Sequence, residues 1–386
     1  MAGAYLLRRG ARAGNIELQV GDVTYRTELR RIGNRVLTTP AQFALPQKGH
    51  SLVLGFPPLR GISSRDPSGP SAIHSSEPRV ADLLPLIRGS IDTRLDSLKQ
   101  WLVNLEVNSI AGNEVSSADA ARNRGIVLSF YDILHKFTPG HQVEAGRVDR
   151  TTWQVYVTTA DGDVPIDNVS QGMSSIFGWV GTLIQRMYEI YVDSAVPTQE
   201  PALVLVDEID AHLHPEWQQV LTSIVKEHFP NVQIIATTHS PLLVAGMKQE
   251  ELMIARRDEA DPSHIDVFRS PISPEGLRAD QILTSPIFGL LSTRGPNTNA
   301  EMRRLSTLVG MSNRTAEEEA EFRELQTKLM RILTPGESVE DRRYDLADQQ
   351  AIEARIERSM GEIADASDEV KIEAKKRLDH LMENQK

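Results

Sequence analysis

Two adjacent carboxylates close an apolar run in this 386-residue chain: Ala202-Leu203-Val204-Leu205-Val206 leads directly into Asp207-Glu208. Such a run reads as a parallel strand covered on both faces, and α/β folds bind ligands at the carboxyl ends of their strands. An acid pair there divides the work of nucleotide hydrolysis. The first acid of such a pair, here Asp207, would hold Mg2+ through water, and the second, here Glu208, would orient or deprotonate the attacking water. Strand-ending acid pairs also occur in proteins that hydrolyse nothing, so the neighbours decide. Thirty-two residues beyond Asp207, after the apolar run Val232–Ala236, stands His239 in Thr237-Thr238-His239-Ser240-Pro241. An imidazole at the mouth of the adjacent strand can reach the same terminal phosphate; a buried, hydrogen-bonded histidine is the alternative. Upstream, Val169-Ser170-Gln171-Gly172-Met173 opens a helix. A serine hydroxyl and the backbone N–H groups of a helix start form an anion site, or Ser170 is a plain N-cap beside a glycine turn. Directly after the acids runs Ile209-Asp210-Ala211-His212-Leu213-His214-Pro215, whose two histidines lack a third ligand at zinc spacing.

The elements that position these groups follow from pattern. Ile16 to Leu29 alternates around Gly21-Asp22 and reads as an antiparallel hairpin. Ser51 to Phe56 is a short strand, residues 61–80 a Ser/Pro/Gly-rich loop, and Val80 to Phe137 turns helical through Leu95, Leu98, Leu102 and Leu105. Trp101 on that stretch reads as core rather than as a base-stacking platform. Strand character returns at Thr151–Thr159, a helix spans Met173 to Tyr191, and Pro215 opens another through His228. Val232–Ala236 reads as a second buried strand, with Leu252–Ala255 and Ile265–Phe268 continuing the sheet. Strand–helix–strand alternation with short links predicts a right-handed parallel α/β layer. Beyond Asn299 charged helical patterns dominate, and Thr315-Ala316-Glu317-Glu318 is a capping box.

Composition narrows the class. Charged residues make up 25% and apolar ones 40%, ordinary for a globular protein. The net charge of −11 argues against a basic nucleic-acid coat, and no basic stripe with interleaved aromatics suggests direct DNA binding. With no cysteine, a disulfide scaffold, a Cys-ligated zinc site and a thiol nucleophile are excluded, and a reducing, cytoplasmic setting fits. The longest apolar stretch, near Ile176 to Ile184, falls short of the ~20 residues of a membrane helix. The first residues, Met1 to Arg9, are too short and too early-charged for a secretory signal.

The order Ser170-Gln171-Gly172, then Leu203 through Pro215, then Ile234 through Pro241 resembles the ATP-binding-cassette ATPases outside transporters, nearest to the bacterial AAA-family ATPases grouped with the OLD, SMC and RecF proteins. The resemblance covers about Ile16 to Arg294. It makes Val169–Met173 similar to the signature motif, Leu203–Glu208 to Walker B, Asp210–His214 to the D-loop and His239 to the switch histidine. Gly55-Phe56-Pro57-Pro58-Leu59-Arg60 looks like the "GYGPxR" segment of these proteins, with Pro57 where glycine is usual, and Ala279–Pro286 with Phe288-Gly289-Leu290 like a segment following the cassette. Arg60 then faces a phosphate or makes a surface salt bridge. The implied fold is α/β, a P-loop NTPase of ABC-ATPase type with an incomplete N-terminal lobe (1–60), a helical lid or arm (61–150), the signature-to-switch core (151–299) and a helical tail (300–386). The implied ligands are ATP and Mg2+, with Asp207 at the metal, Glu208 and His239 catalytic, and Ser170, Gln171, Gly172, Asp210, His212 and Arg60 at the nucleotide. A homodimer is implied, with the signature of one protomer facing ATP held by the other, and DNA or a nuclease subunit as partner. Gln42 and Gln47 are candidates for the glutamine that contacts Mg2+, or else ordinary loop glutamines.

One expected element is missing. No Gly-Lys dipeptide occurs in the 386 residues, so the phosphate-cradling G-x-x-x-x-G-K-[ST] is absent from them. A truncated start, a decayed gene and a subunit without its own phosphate loop all fit, and each predicts weak ATP binding by this chain alone. The leading expectation is ATP binding and hydrolysis coupled to DNA or a nuclease partner in repair or phage defence. The alternative is a degenerate, non-hydrolysing cassette that dimerises or docks a partner.

Overall fold

The computed structural model describes residues 11–20, 23–33, 35–38, 52–61, 63, 65–71, 80–110, 115–258, 261, 264–290, 292–311 and 314–333. Gln42, Gln47, the hairpin tip Gly21-Asp22 and the tail beyond residue 333 lie outside them. The chain divides into two units, Met1–Thr293 and Arg294–Lys386.

In the first unit, β1 (Ala13–Val20) and β2 (Val23–Ile32) form the expected hairpin, and β3 (Arg35–Thr38) extends it. The site-bearing layer is the parallel sheet of β4 (Leu52–Phe56), β8 (Ala202–Val206) and β9 (Val232–Ala236), ordered β4-β8-β9. Between β4 and β8 come α1 (Leu84–Arg88), α2 (Leu95–Asn108), α3 (Ser117–Lys136), and an antiparallel sheet of β5 (Glu144–Val148), β6 (Val155–Thr159) and β7 (Gly162–Pro165). A continuous helical rod follows: α4 (Gln171–Ile176), a π-helical turn at Phe177–Gly181, and α5 (Thr182–Ile190). After β8 come α6 (Pro215–His228) and, past β9, α7 (Pro241–Ala245), the β10 (Met253–Arg257)/β11 (Ile265–Arg269) hairpin and α8 (Ala279–Thr284).

Three expectations change. The 61–150 stretch is not a separate arm: Leu95, Leu98 and Leu102 of α2 and Phe130 and Leu134 of α3 join Leu54 of β4, Val204 of β8 and Trp179 of the π turn in one hydrophobic cluster. Trp101 belongs to it, edge-on to Phe130. Second, β9 is not buried on both faces. It stands at the edge of the sheet among the described strands, and Ile235 is 55% exposed. Third, β10 and β11 do not continue the sheet but pair with each other in a separate antiparallel ribbon.

Two cations, Lys99 buried and Arg94 half-buried, anchor the approach to the site. Lys99 of α2 donates to Asp66 at 2.7 Å and Asp167 at 3.0 Å, pinning the 65–71 segment and the turn that precedes Ser170. Arg94 donates to the Gly55 carbonyl at 2.6 Å and stacks over the Phe56 ring, holding the end of β4.

The second unit contains α9 (Pro296–Val309) and α10 (Ala316–Leu333). Arg304–Glu321 and Lys328–Glu301 ion pairs join them. The capping box forms as read: Thr315 N–H donates to Glu318 Oε2 at 2.9 Å, and Glu318 N–H to Thr315 Oγ1 at 3.2 Å.

Candidate functional site

Register assembles the site. In the parallel ladder Phe56 pairs with Val206, and Val206 with Ala236, so Pro57, Asp207 and Thr237 leave the sheet side by side at its carboxyl edge. The ladder runs one step beyond the strands: Asp207 N–H donates to the Phe56 carbonyl at 2.9 Å and Thr237 N–H to the Val206 carbonyl at 3.0 Å. The Thr237 hydroxyl then does two things. It accepts from Glu208 N–H at 2.8 Å and donates to Asp207 Oδ1 at 2.6 Å. Thr238 likewise donates to Asp210 Oδ1, and its hydroxyl accepts from Ser240 N–H. Sequence reading did not single out either threonine. The signal that could have found them is the parallel pairing itself, which aligns the first residues after each strand.

The turn after Asp207 is held in an unusual shape. Glu208 has φ 47° and His212 φ 66°, left-handed values that cost a non-glycine residue about 1–2 kcal/mol, so the surroundings must fix them. Ile209 N–H donates to the Thr237 carbonyl, and Ala211 N–H to the Glu208 carbonyl. The His212 carbonyl abuts the signature-like helix: a Cβ at Gly172 would lie 2.9 Å from that oxygen and 3.0 Å from the Trp217 ring. Glycine at 172 is therefore a packing requirement that lets helix α4 lie against the 210–214 loop. Ser170 caps α4, accepting from Met173 N–H at 3.3 Å, and it is exposed together with Gln171. It makes no hydrogen bond to Asp207, Glu208 or His239. The acids and the serine-headed helix thus meet through the 210–214 loop.

Arg60 is neither a phosphate contact nor a surface ion pair. It is 4% exposed, and its guanidinium donates to the carbonyls of Asp207 (2.8 Å), Glu208 (2.8 Å), Ile209 (3.0 Å) and Pro57 (3.1 Å) and to Ser175 Oγ (3.1 Å). All five N–H donors are used. Burial pulls its pKa down to about 10, while Asp210, Asp92, Glu208 and Asp207 pull it upward, so it remains a cation at neutral pH.

His239 and His212 are exposed, and neither ring makes a hydrogen bond among the described residues. His214 serves as N-cap of α6, its Nδ1 accepting from Glu216 N–H at 3.4 Å. For Mg2+ the donor set fits a water-mediated site. Asp207 keeps Oδ2 unpaired among the described residues, and none of them form a cluster of three or more His, Cys, Asp or Glu that could hold a metal ion. A small hard cation that retains most of its waters suits one carboxylate. No described helix is long and apolar enough to cross a membrane.

Residues 77–245 match the family model described as "AAA domain, putative AbiEii toxin, Type IV TA system". Curated relatives include the Septu protein PtuA of Bacillus mycoides (strain KBAB4), 29% identical over 51% of this chain and 27% of that protein. PtuA of Bacillus thuringiensis is 28% identical over 51% of this chain and 49% of that protein. The "Retron Vc95 probable ATPase" of Vibrio cholerae serotype O1 biovar El Tor is 36% identical over 24% of this chain and 18% of that protein. The match spans about half or less of these relatives' length. A solved SMC head domain from Thermotoga maritima aligns with TM-score 0.34 and 11% identity over 70% of this chain and 79% of that one. Over these residues the chain is similar to AAA-domain proteins and to ATPases of this kind, and its parallel layer with flanking helices is an α/β fold.

Proposed function

We propose that this chain binds Mg2+-ATP and hydrolyses it as one half of a nucleotide-sandwiched homodimer. The observation that carries the reading is the Thr237 hydroxyl, which fastens Glu208 N–H and the Asp207 carboxylate together at the mouth of β8 and β9. Asp207 keeps an oxygen for a water of the metal shell, and Mg2+ when bound supplies charge neutralisation at the phosphates. Glu208 takes the proton of the attacking water. His239, two residues beyond Thr237, donates to the terminal phosphate as charge builds there. Ser170, Gln171 and Gly172 meet ATP held by the other protomer, and Asp210 and His212 line the same dimer face. Arg60 is withdrawn from the nucleotide contacts, since its donors are used elsewhere.

No G-x-x-x-x-G-K-[ST] occurs in the sequence, so the reading takes its phosphate loop from outside these residues and expects slow turnover by this chain alone. Coupling to DNA or to a nuclease partner, in repair or phage defence, rests on the family resemblance. The toxin wording of the family description and the retron ATPase among the relatives support a defence setting.

The test is phosphate release by the full chain at millimolar Mg2+-ATP, compared with Glu208→Gln. Loss of a general base should lower the rate about 100-fold or more. Equal background rates in both proteins would leave a non-hydrolysing docking module as the better account.

A further inference from the structure

We propose that Arg60 is a positioning residue that shapes the Asp207-Glu208 turn from beneath and locks it to the signature-like helix of the same protomer. The mechanistic part of this rests on the hydrolytic reading above; the structural part does not.

Three consecutive carbonyls, those of Asp207, Glu208 and Ile209, converge on one buried cation. Carbonyls in regular secondary structure do not converge this way. They do so here because Glu208 takes a left-handed φ of 47°, which turns its peptide groups out of the strand direction. A planar fork of five N–H groups can meet all three carbonyls and still reach sideways; a lysine ammonium has three donors on a point charge and cannot. The sideways reach is the informative part. Arg60 Nε donates to Ser175 Oγ, one turn into the helix that begins at Ser170, and Ser175 is itself fully buried.

Independent packing joins the same two elements. Gly61 has φ 74°, and a Cβ there would come within 1.9 Å of the Ser174 carbonyl oxygen. The chain corner at 60–61 is therefore pressed against the helix at 174–175 while its arginine holds the acid turn. On the far side, Gly172 lies against the His212 carbonyl. The helix is thus joined to this turn and the loop that follows it at two places, Gly172 against the His212 carbonyl and Ser175 through Arg60, leaving little freedom for either to move alone. Engagement of Ser170 and Gln171 by a partner is then felt at Glu208 through Ser175 and Arg60.

Three variants of the full chain test this: Arg60→Met, Arg60→Lys and the milder Ser175→Ala, which removes only the tie to the helix. The first readout is amide hydrogen exchange without nucleotide. Arg60→Met should speed exchange at 207–213 at least tenfold and leave α9–α10 at the wild-type rate. Arg60→Lys should fall close to Arg60→Met, because the fork is lost, and Ser175→Ala should raise exchange at 171–178 and 207–213 together by a few-fold. Wild-type exchange at 207–213 in all three would overturn the proposal, as would an Arg60→Lys chain with wild-type protection.

The second readout is Mg2+-ATP turnover. Arg60→Met should lower kcat about 10- to 100-fold with KM within threefold, and millimolar guanidinium should restore part of kcat. A raised KM with unchanged kcat would overturn the positioning role and return Arg60 to substrate binding. If the wild-type chain shows no turnover, the hydrolytic reading fails while the exchange experiment still judges the clamp.

Discussion

The apolar runs β8 and β9 look alike in the sequence, five residues each with a polar, chemistry-bearing tail, and the structure treats them differently. The backbone at the end of β8 is fastened. Val204 and Val206 are buried, three successive carbonyls are tied to Arg60, and Asp207 is tied to Thr237. β9 is paired with β8, yet Ile235 is largely exposed and the His239 ring is held by no described residue. The contrast separates two jobs. Under the hydrolytic reading proposed above, the backbone that would carry the acid pair is built into the scaffold, whereas the imidazole that would respond to a phosphate is left to find its partner.

Truncations should expose this difference most clearly. Leu54→Ala, in the β4 strand that backs β8, should destabilise the first unit by about 2–5 kcal/mol in urea unfolding, since a fully buried leucine leaves a cavity. Ile235→Ala should change it by less than about 0.5 kcal/mol; a comparable loss at both positions would erase the distinction. Gly172→Ala should cost about 1–3 kcal/mol, because the added Cβ meets a carbonyl and an indole that are themselves packed. Thr237→Val should cost about 1 kcal/mol by removing both bonds of its hydroxyl, with Thr237→Ser near wild type, and it should lower turnover as well. An equally small stability effect belongs to His239→Asn, within about 0.5 kcal/mol of wild type, while its turnover falls tenfold or more. A His239→Asn chain that is clearly less stable would show that the imidazole is a structural group after all.

What the sequence revealed follows from the range of each interaction. The capping box at Thr315 and Glu318 was legible because both its bonds close within three residues. The α2 stripe of Leu95, Leu98, Leu102 and Leu105 was legible because burial of one helix face imposes its period. The Asp207-Glu208 strand end was legible from its apolar run. The exposure of β9 was not, because an apolar run specifies a strand and leaves open what lies beside it in the sheet. Nor was the independence of the β10/β11 ribbon, for the same reason. Arg60 stands out by residue type, but nothing in the sequence marks its role. Three of its five acceptors are backbone carbonyls about 150 positions away, and no side-chain pattern marks a carbonyl that turns inward. Thr237 and Thr238 were hidden by their ordinariness until the parallel register set them beside Asp207 and Asp210.

The account stands on Asp207, Glu208 and His239 addressing one nucleotide. A crystal structure of the 386-residue Glu208→Gln chain grown with Mg2+-ATP tests that most directly. The expected result is a metal joined to Asp207 through water, with the terminal phosphate between position 208 and His239. A nucleotide bound away from the carboxyl edge of β8, or a phosphate out of reach of His239, would contradict it.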